Sequence, residues 1–208
     1  MSRCRRPPWI RVRPGQAVAT AVLVGTAAAV LAGCTGGAGA SNVSASNGQS
    51  FVAGSPGTTL YRTGAGPRVP AVAGPVVGGG RLSLAAYRGH VVVLNFWGSW
   101  CTPCREEAPS LAALARRLTP AGVRFLGIDI RDSPASAQAF TSDFRISYPS
   151  LDDPGDTIAL NFRDTVPPAG IPTTLVISRS GRIAARVIGP VTYSGLKSLI
   201  HRVAAQPE

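Results

Sequence analysis

Two cysteines stand three positions apart in the stretch NFWGSWCTPC, residues 95–104, at the end of an apolar run. A Cys-x-x-Cys pair supports four chemistries, and its neighbours discriminate among them. Structural zinc takes four ligands, and the chain's histidines, His90 and His201, are remote in sequence from both cysteines. Attachment of a c-type haem needs histidine directly after the second cysteine, where Arg105 stands. An inert structural disulfide gains little by closing so short a loop. A redox-active dithiol fits the context best.

The reason is electrostatic. A pair that opens a helix sets its first sulfur beside backbone N–H groups without intrahelical partners and at the positive end of the helix dipole. Both favour thiolate over thiol, so Cys101 is expected to be the more acidic, attacking sulfur. Cys104, one turn inside the helix, is placed to attack a mixed disulfide formed on Cys101. Pro103 falls in the first helical turn, where its missing N–H is not needed. Trp100, next to Cys101, is expected to flank the site and keep water from the sulfur, and Trp97 to lie in the core. His90 and His201 are expected at the surface.

The elements that must hold this pair follow from periodicity. Residues 90–97 form a continuous apolar stretch, the pattern of a central strand buried on both faces. Leu111, Leu114, Ala115 and Leu118 recur at helical spacing, and Pro120 with Gly122 stops that helix. Residues 123–130 read as the next strand. Ser133 and Pro134 look like an N-cap and first turn, with Ala137, Phe140 and Phe144 on one helical face. Asp152, Asp153, Pro154 and Gly155 suggest a turn, followed by a short helix through Ile158, Ala159 and Phe162. Residues 173–178 and 183–188 form a hairpin, and a last helix carries Leu196, Leu199, Ile200 and Val203. Residues 82–84, after a glycine-rich turn, suggest a further strand in front. The order implies an α/β domain with a mixed central sheet and helices on both faces.

The chain of 208 residues carries a formal charge of +11, but five of its 21 basic residues crowd into positions 3–13. The remainder, 16 basic against 10 acidic residues, is scattered rather than clustered on one face, which argues against nucleic-acid binding. The basic start and the apolar run of residues 17–32 have the layout of a secretory signal. Leu31-Ala32-Gly33-Cys34 resembles a bacterial lipobox, with Cys34 as the lipidated residue. Residues 1–33 are therefore expected to be a lipoprotein signal peptide, 34–66 a flexible Gly/Ser-rich tether, and 67–208 the folded domain. Cys4 and Cys34 fall outside that domain, which leaves it the single pair.

The stretch VVVLNFWGSWCTPCREEAP, residues 91–109, is similar to the strand, active site and first helix of the TlpA/ResA-type extracytoplasmic thiol–disulfide oxidoreductases. These belong to the thioredoxin-like superfamily, and the resemblance extends over roughly residues 70–204. It implies a thioredoxin-like fold with a TlpA-type insert between Asp129 and Phe162, and a kink proline at Pro109. It further implies that GIPTT, residues 170–174, is the loop in which a cis bond joins Ile171 to Pro172, facing the dithiol and binding substrate. The buried aspartate of thioredoxin is replaced by Asn95, so Glu106 or, better matched to the subfamily pattern, Glu107 would take up the proton. The resemblance also implies reduction of protein disulfides outside the cytoplasm, with substrates such as apocytochrome c and a membrane electron donor of the CcdA or DsbD kind. No cofactor is expected beyond the Cys101–Cys104 disulfide itself, and no metal. Two alternatives stay open. A peroxiredoxin-like peroxidase would have threonine three positions before its reactive cysteine, where this chain has Gly98. A lipoprotein that binds a partner or copper through the same sulfurs would lack exchange activity.

Overall fold

The computed structural model of the chain describes residues 51–53, 57–167 and 170–207. In chain order the strands are β1 (Phe51–Ala53), β2 (Thr58–Tyr61), β3 (Ala73–Pro75), β4 (Arg81–Ser83) and β5 (Val92–Trp97). Helix α1 (Thr102–Leu118), β6 (Arg124–Ile130), α2 (Pro134–Asp143) and β7 (Ser150–Asp153) follow, then β8 (Thr173–Ile177), β9 (Ile183–Ile188) and α3 (Tyr193–Ala204). Seven strands form one sheet in the order β1-β2-β9-β8-β5-β6-β7, and β3 pairs with β4 as a separate hairpin. β5, β6 and β7 are mutually parallel, whereas β8 runs antiparallel to β5. The sheet is mixed, as the element order implied.

All six residues of β5 are buried because both faces of the sheet are covered. Side chains alternate between faces with period two. Val93 joins an apolar layer with Leu111, Leu114 and Leu118 of α1 and Leu196, Ile200 and Val203 of α3. Val92, Leu94 and Phe96 join the opposite layer with Leu126, Ile128, Phe162 and Leu175. That second face is covered by two short 3-10 turns, Leu84–Tyr87 and Ala159–Phe162, and by the loops around them. The Phe162 ring meets Phe96 edge-on at 5.1 Å.

The insert forms as a helical crossover between two parallel strands, β6-α2-β7, as parallel pairing requires. Ser133 caps α2 by accepting from the Ser136 N–H at 3.1 Å, and Pro134 occupies its first turn. Two readings of the chain need correction. Asp152 and Asp153 do not belong to a turn: they end strand β7, pairing with Asp129 and Ile130 of β6. This edge strand has no apolar alternation to betray it, since its pairing comes from β6. The Asp153 carboxylate then accepts the Ile158 and Ala159 N–H groups and so starts the following 3-10 turn. The folded body also begins before residue 67. β2 pairs with β9 in the register Thr58↔Val187 to Leu60↔Ala185, and Tyr61 is buried. Arg186 of β9 donates to Thr59 Oγ1 and to the Thr165 carbonyl, tying that edge down. The expected signal segment and Cys34 lie outside the described residues.

Topology brings the chemistry-bearing residues to one end of the sheet. The loop after β5 and the loop after β6 leave the same end because the two strands are parallel. β8 starts at that end because it is antiparallel, with Thr173 opposite Phe96. Ile171 and Pro172 therefore arrive beside the cysteines.

Candidate active site

Cys101 is the N-cap of α1, and it is joined to Cys104 in a disulfide. The Cys101 sulfur accepts the Cys104 backbone N–H at 3.2 Å, the role a serine hydroxyl usually plays at a cap. An N–H aimed at a sulfur stabilises the anion more than the neutral thiol. Cys101 is 5% exposed and Cys104 1%, so the first cysteine is the accessible one. Pro103 lies in the first helical turn, as expected.

The loop before the pair is held by the end of β6. The Trp100 indole donates to the Ile130 carbonyl at 3.3 Å, and Ser99 N–H donates to Asp132 Oδ2 at 2.6 Å. Gly98 makes this possible: a Cβ there would lie 2.7 Å from the Trp100 indole nitrogen. Arg131, at φ 52, turns the chain so that Asp132 reaches back to Ser99. A left-handed non-glycine residue costs about 1–2 kcal/mol, and Arg131 is further held by its ion pair with Asp156 at 2.5 Å. Trp97 lies in the core, stacked on Phe140 at 4.3 Å and donating to Ser150 Oγ. Trp100, by contrast, is 53% exposed: it walls the site but presents one side to solvent.

A cavity of about 420 Å³ opens over the disulfide, lined by Trp100, Cys101, Pro103, Ile130, Arg131 and Ile171 among others. The Ile171–Pro172 peptide bond is cis. Pro172 is buried, and its carbonyl accepts from Gly189 N–H, so Ile171 is the residue of this pair that faces the opening.

Beneath the cysteines runs a buried polar chain. Glu107 is 1% exposed. Its Oε1 accepts from Asn95 Nδ2 at 2.7 Å and its Oε2 from Val191 N–H at 2.8 Å. The same Asn95 amide donates to Thr174 Oγ1. Burial pushes the Glu107 carboxyl up to about 7, against the Val191 and Asn95 hydrogen bonds that pull it down. Cys104 and Glu107 share the buried side of α1, three residues apart, where helical neighbours meet. Glu106 is exposed, as a solvated helix-face carboxylate should be. His90 is half-buried and its Nδ1 lies 3.1 Å from the Gly122 carbonyl, well away from the cysteines in the fold.

Sequence reasoning missed the part played by Asn95 as the link between Glu107 and Thr174. It also missed Asp132, the acceptor under Ser99, and Asp129, a carboxylate inside β6. The signal for Asp129 was present, as an acid in the otherwise apolar run that follows Arg124 in RFLGIDI.

The chain is similar to several known thiol–disulfide proteins. The chain is 37% identical over 105 residues to the thiol:disulfide interchange protein HelX of Rhodobacter capsulatus, covering 50% of this chain and 55% of that protein. It is 31% identical over 123 residues to the thiol-disulfide oxidoreductase ResA of Bacillus subtilis, covering 59% and 64%. The match thus spans between about half and two thirds of these relatives' lengths. Among solved structures, a secreted thiol-disulfide isomerase from Corynebacterium glutamicum superposes with a TM-score of 0.68 at 32% identity, over 76% of this chain and 100% of that one. A DsbF homologue from Corynebacterium diphtheriae gives 0.66 at 35% identity, over 72% and 94%. The sequence pattern of the AhpC/TSA family matches residues 65–186, more than half of the chain, from β2's exit to β9 and through the whole dithiol site. With its thioredoxin-like sheet and its helix-capping cysteine pair, the chain belongs to the AhpC/TSA family.

Proposed function

We propose that the protein is an extracytoplasmic thiol:disulfide oxidoreductase, tethered to the membrane through Cys34, that reduces disulfides in protein substrates. The observation that carries the exchange chemistry is the Cys101 sulfur seated as the N-cap of α1 under the Cys104 N–H. In the reduced protein, the Cys101 thiolate attacks one sulfur of a substrate disulfide. A mixed disulfide forms and the first substrate sulfur leaves as a thiolate. Cys104 then loses its proton, attacks the Cys101 sulfur and expels the second substrate sulfur. Two electrons have passed to the substrate, and the Cys101–Cys104 disulfide remains. Glu107 is the acceptor for the Cys104 proton, since a carboxyl near 7 both takes and returns a proton at neutral pH. Trp100, Pro103 and Glu107 support the pair, and Ile171 with Pro172 forms the wall against which an extended substrate segment pairs.

The sequence resemblance to the TlpA/ResA type supports apocytochrome c as a substrate and a CcdA- or DsbD-type membrane protein as the source of electrons. The names of the relatives, interchange protein and oxidoreductase, support the reaction class. Direction depends on the reduction potential of the pair against its surroundings. Equilibration of the purified protein against dithiothreitol and glutathione buffers tests the reading. A strongly reducing potential, with Cys104→Ser trapping mixed disulfides through Cys101, is the expected result. Failure of Cys104→Ser to form mixed disulfides with any disulfide-containing protein sinks it.

A further inference from the structure

Asp129 lies in the row of β6 side chains that faces α1 and α2. Phe125, two pairs back, joins the layer under α1 and α3, and a Cβ on Gly127 would meet the Trp97 indole and Ser150. Period two then sets Asp129 on that same face, level with Trp97 of β5 and Asp152 of β7, its register partners. It is 1% exposed, and neither of its carboxylate oxygens has a hydrogen-bond partner among the described residues.

Among the described residues, the groups around it give no positive charge. β7 supplies Asp152 and Asp153, the latter committed to the Ile158 and Ala159 N–H groups. The loop after β6 supplies Asp132. β5 offers the Trp97 indole, already donating to Ser150. From α2 come Ala137 and Phe140 with no charge, and the Ser133 and Ser136 hydroxyls bond each other. The nearby cations are engaged elsewhere: Arg131 on Asp156, and Arg105 over the Phe144 ring at 5.1 Å. A carboxylate buried without a partner holds its proton. Burial pushes Asp129 up to about 8, helped by the negative charges of Asp132, Asp152 and Asp153 and by Asp132 as acceptor for the neutral form, although no bond of full geometry joins the two.

Asp132 connects this acid to the dithiol. Its two oxygens accept Ser99 N–H at 2.6 Å and Ser133 N–H at 2.9 Å, so it clamps the loop two residues ahead of Cys101 to the start of α2. We propose that Asp129 is a positioning residue for the dithiol loop: as a neutral acid it leaves Asp132 seated under Ser99, and as an anion it drives Asp132 out and frees the loop. The proton lost goes to solvent, and the repulsion falls on Asp132 because Asp152 and Asp153 are fixed in a strand while Asp132 sits in a loop. The device tunes how Cys101 is presented, and so rests on the exchange reading, but its readout at Ser99 is independent of that activity.

The test is an NMR titration of the oxidised protein from pH 5 to 9.5. The Asp129 carboxyl carbon should titrate near 8, and the Ser99 amide should shift with the same midpoint. In Asp129→Asn the Ser99 amide should lose that transition, and in Asp132→Asn the Asp129 carboxyl should titrate at lower pH because the negative neighbour with the largest effect on it is gone. In the exchange assay, wild type should fall behind Asp129→Asn above pH 8 by on the order of tenfold, since displaced reacting groups cost that much or more. An Asp129 carboxyl that titrates in the ordinary range near 4, or a Ser99 transition that survives in Asp129→Asn, overturns the proposal. If Asp129→Asn does not fold, the wild-type and Asp132→Asn titrations decide it by the same criteria. A protein without exchange activity but with coupled Asp129 and Ser99 transitions would leave this inference standing and remove the exchange reading.

Discussion

In the proposed exchange step Glu107 separates the two halves, because Cys101 already has a stabilised sulfur and Cys104 needs a base. Replacing it with glutamine keeps the shape and, once the Asn95 amide turns its oxygen toward the new NH2 group, a bond to each of Asn95 and Val191, but it removes the proton acceptor. Turnover of Glu107→Gln should drop by roughly 10²-fold, the usual contribution of a positioned base. The inflection near pH 7 in the wild-type rate profile should vanish with it. Stability should move the other way. The folded Glu107 stays protonated up to about 7 whereas the unfolded group ionises near 4.5, so the folded state is favoured most below about pH 4.5. That contribution is lost as pH rises to about 7 and is level above it. Urea midpoints measured at pH 4.5 and pH 8 should therefore converge in Glu107→Gln relative to wild type. Alkylation of the reduced protein provides the companion test at the cysteines: Cys101 should react first at neutral pH, with a pKa below the free value of about 8.5. Preferential labelling of Cys104 would falsify the assignment of roles.

Elements carry the site through two close approaches that tolerate no side chain. Gly127 of β6 lies where a Cβ would come within 2.2 Å of Ser150 Oγ and 2.6 Å of the Trp97 indole nitrogen. Gly127→Ala should break the bond between Trp97 and Ser150 and force β6 and β7 apart, at a cost of about 1–3 kcal/mol typical of overpacking. A thermal midpoint lowered by several degrees, with the Trp97 fluorescence shifted, is the expected result; an unchanged midpoint contradicts the described packing. Gly98→Ala works on the loop instead. Its Cβ would push the Trp100 ring off the Ile130 carbonyl, so stability should change little while exchange slows. The contrast separates a sheet-forming glycine from a site-forming one.

At the scale of the molecule, the N-terminal edge of the sheet is part of the fold and the segment before it is a tether in the proposed function. A chain begun at Ser50 should match the full chain in thermal midpoint. One begun at Arg62 loses β2, uncovers the β9 edge and exposes the site of Tyr61. It should lose roughly 2 kcal/mol or more, the scale of one buried large side chain with its packing, and should aggregate through the unpaired edge. Equal stability of the two chains would show that β2 adds nothing. Cys34→Ser in cells tests the tether itself: the protein should stay unprocessed or leave the membrane fraction, and unchanged attachment removes the lipid anchor from the proposal.

The strand at residues 92–97, helix α1, the capped start of α2 and the β8–β9 hairpin were all legible in the chain, because each rests on neighbours within a turn or a pleat. The same locality made Cys101 and Cys104 legible as a pair at a helix start, and Pro103 as a first-turn residue. Strand β7 was not legible, since SLDD pairs through a register imposed by β6. Nor was β2, whose partner β9 lies more than a hundred residues on. The polar chain through Asn95, Glu107, Thr174 and Val191 joins residues separated by 12, 79 and 84 positions, and no periodicity encodes such distances. Burial is what gives Glu107 and Asp129 their unusual acidities, and burial depends on which elements close over a residue. The sequence by itself therefore determined the dithiol and the frame that presents it. Tertiary packing decided which carboxyls hold a proton beside that dithiol, because desolvation is a property of the assembled layers and not of neighbours in the chain.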